Sequence, residues 1–196
     1  MLVTAAALTI LRLVVDPTPA ARELPVSAIL DEVRAIWRPY VTIVIANPSA
    51  ASVHGPVVHL QFNDDERPGA GDEPRALGWI EFVDGVPSPF ITVSRARAQV
   101  LLARAHWMGR PVTQWPKTIG REALTRALAR TAAHEIGHFL LRSTTHRTEG
   151  LMRAQFTTND FLDRRRERFR LTPADQAQVA LAALMANTAT VGPANL

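Results

Sequence analysis

Residues 133–153 read AHEIGHFLLRSTTHRTEGLMR and hold three of the chain's six histidines. His134 and His138 are four positions apart, with Glu135 between them. On a helix that spacing stacks the two imidazoles one turn apart on the same side. Neutral imidazoles so placed can share a metal ion, and zinc takes such nitrogens at about 2.0–2.1 Å. Glu135 stands beside them, where its carboxylate reaches a water held at the metal and not the metal itself. The chemistry served is hydrolysis: a Lewis acid held by the histidines, and a base that takes a proton from water. The plain alternative is a histidine pair on a helix, with Glu135 solvated.

A catalytic zinc needs three protein ligands beside its water. His146 is the first choice for the third. In an unbroken helix it would lie about 12 Å along the axis from His138. The helix must therefore end near Leu141–Ser143 and the chain must reverse. Ser143, Thr144 and Thr145 suit such an end, because their hydroxyls compete for backbone hydrogen bonds. No glycine is present there to take a left-handed cap. Glu149 is the second choice of ligand, as a carboxylate, and Asp160 the third. Gly137, inside the helix, costs roughly 1 kcal/mol against alanine, which suggests that another group approaches the backbone closely.

With His146 and the following Gly150-Leu151-Met152, this segment resembles the zincin metalloproteases, and most of all the metzincin branch. That branch carries H-E-x-x-H-x-x-G-x-x-H and then a turn with a methionine beneath the metal. Here Leu141 takes the glycine position and Thr144 the third histidine position, so His146 requires a slightly longer connection. By position the resemblance makes His134 and His138 ligands, Glu135 the general base and Met152 the methionine of the turn; the plain reading of Met152 is a core side chain. It implies a zinc-dependent peptidase (cofactor Zn2+) that hydrolyses peptide bonds of a peptide or protein substrate through a zinc-bound water. It also implies that the fourth strand, Leu77–Val83, runs along the cleft and pairs with extended substrate. Tyr40, Arg142 and Arg153 are candidates for stabilising the oxyanion, and nothing in the sequence selects one.

The elements that must position these residues are readable from periodicity and turn signals. Strands are predicted at Leu8–Val15, Val41–Ala46, His54–Phe62, Leu77–Val83 and Pro89–Ser94. Helices are predicted over about 25–38, 95–106, 120–141 and 173–184, the last with Thr172 as N-cap and Pro173 at its first position. NDDERPGAGDEP, residues 63–74, reads as an exposed loop. On the long helix, Leu124, Leu128, Ala132, Ile136 and Leu140 lie opposite the histidines, predicting one face in the core and the other flooring a cleft. Strands early and helices late predict an α+β fold. The expectation is a zincin-like, mixed five-stranded twisted sheet with an active-site helix and a small helical C-terminal subdomain. Residues 1–186 form one catalytic domain, divided at about 142/143, and 187–196 a tail.

The 196 residues and 47% hydrophobic content suit one domain with a substantial core. The absence of cysteine excludes a disulfide scaffold, cysteine-ligated zinc and a thiol nucleophile. The apolar stretch at the N-terminus is short and broken by Arg12, so it is not read as a membrane span, and no positive charge precedes it as in a signal peptide. The net charge is +4, and Lys117 is the sole lysine. The densest basic run, Arg164, Arg165, Arg166, Arg168 and Arg170, is read first as solvated surface and second as a nucleic-acid contact. His54, His59 and His106 are assigned structural or surface roles, His106 at a helix end. The rival to the hydrolase is a non-catalytic metal-containing or basic binding domain, recognising a partner or nucleic acid.

Overall fold

Alternation of apolar and polar residues in Val57–Asn63 predicts a strand with one face in the core, and every second side chain there is buried. The computed structural model describes residues 9–46, 55–64 and 76–188. Five strands form one mixed sheet: β1 (Thr9–Val15), β2 (Val41–Ile45), β3 (Val57–Asn63), β4 (Gly78–Val83) and β5 (Val86–Ser94). Their order is β2-β1-β3-β5-β4. β1 lies parallel to β2 and β3, and β3 parallel to β5. Only β4 runs antiparallel, as the edge strand joined to β5 by the Asp84-Gly85 turn. The predicted His54 start of β3 and most of the predicted 63–74 loop lie outside the described residues.

The helices are α1 (Pro19–Arg22), α2 (Val26–Trp37), α3 (Arg95–Ala103), α4 (Lys117–Leu141), α5 (Thr158–Leu162) and α6 (Pro173–Thr188). α1 and α5 are too short to leave a periodic signal. α3 stops three residues before its predicted end, and α6 runs four beyond. His106 belongs to a two-stranded hairpin, β6 (His106–Trp107) with β7 (Arg110–Pro111), and not to a helix end. Thr172 caps α6 as predicted, its hydroxyl accepting from the Asp175 N–H at 3.3 Å.

Leu11, Leu13, Val58, Leu60, Phe62, Ile91 and Val93 form the inner face of the sheet. They pack with Ile29, Val33, Ile36 and Trp37 of α2 and Leu128, Ala132 and Ile136 of α4. Ala123, Ala127, Ala129 and Ala133 leave room for neighbours to approach α4 closely, and Trp37 Nε1 donates to the Ala133 carbonyl at 3.2 Å. The two-faced reading of α4 holds for Leu128, Ala132 and Ile136 in the core and for His134 and His138 on a cavity, but not along the whole helix. Every residue from Ala127 to His138 is buried, while Leu124 and Leu140, assigned to its core face, are only half-buried. The helix is enclosed because the C-terminal segment wraps the side that the sequence leaves looking open.

That wrapping accounts for Gly137. A Cβ there would collide with the Met152 sulfur and come within 3.0 Å of its methyl carbon. Met152 is 1% exposed, so the thioether has little room to move. Gly137→Ala gains about 1 kcal/mol of helix propensity but loses about 1–3 kcal/mol by overpacking. The expected result is a net fall in the urea midpoint; a rise would show that Met152 yields freely.

Candidate metal centre

α4 ends at Leu141 because Arg142 adopts the left-handed conformation, φ 49° and ψ 43°. The Ser143 N–H closes the cap by donating to the His138 carbonyl at 3.3 Å. An arginine fills the role usually given to glycine, which explains why no signal for it exists in the sequence. The reversal brings the Ser143 carbonyl onto His138, whose Nδ1 donates to it at 2.6 Å. A second loop is closed by the Arg147 N–H donating to the Met152 carbonyl at 2.7 Å. It presents the Leu151 carbonyl to His134 Nδ1 at 2.7 Å.

A carbonyl only accepts, so both imidazoles carry their proton on Nδ1 and turn an Nε2 lone pair inward. The two Nε2 atoms lie 3.0 Å apart. His146, swung back by the reversal, stacks on the His134 ring at 5.2 Å and meets the His138 ring edge-on at 4.9 Å. One ring nitrogen from each of the three falls within 4.8 Å of the others. Burial lowers the pKa of all three histidines, that of His134 to about 3. They are therefore neutral, the form a metal needs. Two lone pairs 3.0 Å apart repel unless a cation lies between them, and tetrahedral zinc would set them about 3.3 Å apart. The donor set fits such an ion.

Glu135 is 6% exposed, and burial pushes its carboxyl up to about 8. A cation on the adjacent histidines is the kind of charge that restores the ionised form. The carboxyl faces a cavity of about 860 Å³ shared by His134, His138 and His146. Gly78 of β4 lies directly against it: a Cβ there would come within 2.7 Å of Thr131 Cγ2 and 3.3 Å of Glu135 Cγ. Arg97, Thr131 and Phe156 complete the near wall. None of these three carried a signal in the sequence, because α3, α4 and the C-terminal segment meet only in three dimensions; Gly78 lies in the strand that the resemblance places along the cleft.

The other candidates are elsewhere. Glu149 is exposed and stands outside the histidine group. Asp160 caps α5, accepting from the Thr157 N–H and hydroxyl at 2.7 and 2.8 Å, and pairs with Arg153 and Arg168. Burial alone would raise its pKa, but the Thr157 hydrogen bonds and Arg153 outweigh that and hold it low. A depressed folded-state pKa gives stability that is complete above the ordinary carboxylate value, about 3.9, and lost as pH falls through the folded value. Asp160→Asn should therefore be less stable than the parent at pH 7, with the gap closing in acid. Parallel acid-unfolding curves would sink this assignment.

Tyr40 accepts from the Leu171 N–H at 3.3 Å and Arg153 stacks on Phe156, while Arg142 caps α4. None of the three lines the cavity. His59 bonds Asp16 at 3.0 Å, away from the centre. Four of the five arginines of the run are matched by the protein's own acids: Arg164 with Glu122, Arg165 with Asp163, Arg166 with Glu32 and Arg168 with Asp160. Such pairing removes much of the free positive charge a nucleic acid would require. No helix among the described residues is long and apolar enough to cross a membrane.

An α+β domain with a five-stranded mixed sheet thus carries a histidine cluster fit for a metal ion beside one buried carboxyl. No protein-family model and no curated protein matches the chain. Among solved structures it is similar to archaemetzincin from Methanopyrus kandleri, with 14% identity, a TM-score of 0.48, and coverage of 92% of this chain and 98% of that one. It is also similar to a zinc-dependent peptidase from Methanocorpusculum labreanum, with 14% identity, a TM-score of 0.49, and coverage of 86% and 99%.

Proposed function

We infer that the protein is a zinc metallopeptidase of metzincin-like design, with His134, His138 and His146 as ligands and Glu135 as general base. The observation that carries this reading is the pair of Nε2 atoms 3.0 Å apart, each turned inward by a backbone carbonyl on its own Nδ1. Backbone partners of that kind fix ring orientation in metal sites. Zinc held there would lower the pKa of a water toward about 7 and polarise a substrate carbonyl. Glu135 takes the proton from the attacking water and hands it to the departing amine, so that one carboxyl serves as base and then acid. Its burial keeps bulk water from competing for that proton.

The edge strand supports a peptide substrate. The Leu77 carbonyl accepts from the Ser94 N–H at 2.8 Å, so Leu77 faces β5. Alternation then turns the backbone groups of Gly78 and Ile80 outward, into the cavity they line. An extended peptide can add to that edge as a further strand, directly over Glu135. In this reading residues up to about 142 form the upper wall and helix of the cleft, and 143–186 the lower subdomain, with Met152 packed under the centre against Gly137.

Metal analysis tests the ligand set. The purified chain should hold stoichiometric zinc, His146→Ala should lose most of it, and Glu149→Ala should keep it. Full zinc retention by His146→Ala would refute the third ligand.

A further inference from the structure

Arg97 lies in the first turn of α3, on the cavity wall, and is 7% exposed. Its Nη1 donates to the Ala76 carbonyl at 2.7 Å, and its guanidinium carbon sits 5.5 Å from the Trp79 ring centre. Its Nε has no hydrogen-bond partner among the described residues. Arg95, two residues earlier, binds Glu23 and Asp64 at 2.5 and 2.7 Å. No carboxylate among the described residues pairs with Arg97 or with Arg104, about two helical turns further on at the C-cap of α3 and on the cavity's exposed rim. Buried charges are ordinarily paired, because desolvating an unpaired one is costly. Besides Glu135, these two arginines are the charged side chains on the cavity wall, the histidines being neutral.

The location is specific. Ala76 carries the next outward-facing carbonyl along the edge before Gly78, and Arg97 occupies it. The row of backbone groups open to a docked strand therefore stops at the guanidinium. From Ala76 to Gly78, where an added Cβ would lie 3.3 Å from Glu135 Cγ, is two residues, or about 7 Å along a strand. A group meeting Arg97 thus sits about two residues along the peptide from the bond that Glu135 serves.

We propose that Arg97 selects substrates bearing a carboxylate, either an acidic side chain or the peptide's own α-carboxylate, near the scissile bond. The proposal rests on the peptidase reading of the cleft. Binding is measured with zinc-loaded Glu135→Gln and fluorescein-labelled hexapeptides that are matched as Glu or Gln at each central position, with free or amidated C-termini. Hydrolysis of the same set is followed with the parent protein. A charge-assisted hydrogen bond predicts about ten- to hundredfold tighter binding of the carboxylate member of a pair. Loss on changing Glu to Gln identifies the side chain as the source, and loss on amidation identifies the terminus.

Arg97→Met, combined with Glu135→Gln, should reduce the preference to within about twofold, and Arg97→Lys should retain part of it. The comparison of peptides needs no change at Arg97, so it stands even if Arg97→Met does not fold. Equal binding within every pair, or an undiminished preference in a folded Arg97→Met protein, overturns the proposal. A carboxylate preference in binding with no peptide hydrolysed supports the role of Arg97 while sinking the peptidase reading.

Discussion

Glu135→Gln should lower peptide hydrolysis by about 10²–10⁴-fold while leaving zinc content unchanged. The amide preserves shape and burial but cannot take a proton from water. Glu135 contributes no ring nitrogen to the histidine cluster, so metal affinity should survive. The amide fills the same buried space as the carboxyl, so the exchange should not lower the melting temperature. These three readouts separate the alternatives. Loss of zinc would make Glu135 a ligand, loss of fold would make it structural, and retained turnover would end its role as base. A non-catalytic metal domain predicts no turnover in the parent either.

Arg130→Met should cost about 3–5 kcal/mol of stability, the range for breaking a buried ion pair from one side. Arg130 is fully buried, and its Nε donates to Glu32 at 3.1 Å. Its other nitrogens donate to the carbonyls of Asp160, Asp163 and Arg165, and its guanidinium lies 4.3 Å over the Phe169 ring. One side chain of α4 thus fastens α2 and the whole 160–169 segment. Removing it leaves three carbonyls and part of the Glu32 charge without partners, although Arg166 still reaches Glu32 at 2.7 Å. Replacing Glu32 as well should recover some of the loss, which simple cavity formation would not allow. The effect should extend to the metal. The Arg170 carbonyl accepts from the Leu151 N–H at 2.8 Å, and the Leu151 carbonyl orients His134. Loosening that chain should weaken zinc binding by about 10–100-fold, as for other lost partners of metal-bound histidines. Urea unfolding and zinc titration measure the two consequences; unchanged stability would refute the anchoring role.

Much of the framework follows from local pattern. The strands at 9–15, 41–45, 57–63, 78–83 and 86–94 and the long helix sit within a few residues of their predicted places, because alternation and helical spacing report burial along short stretches. The same holds for His134, Glu135 and His138. Four-residue spacing on one helix sets their geometry before any tertiary contact forms. Gly137 announced a close approach, though not that Met152 makes it.

What only the tertiary structure decided lies where distant segments converge. The return of His146 depends on Arg142 holding a left-handed conformation that its residue type does not favour, which packing must enforce. The enclosure of α4 depends on Arg130 gathering carbonyls more than thirty residues away. Arg97, Phe156 and Gly78 share a cavity with Glu135 although no spacing links them. Local sequence encodes which face a residue takes on its own element. Which elements meet, and which carbonyl a ring must bond, is a matter of long-range packing, and periodicity carries no information about it.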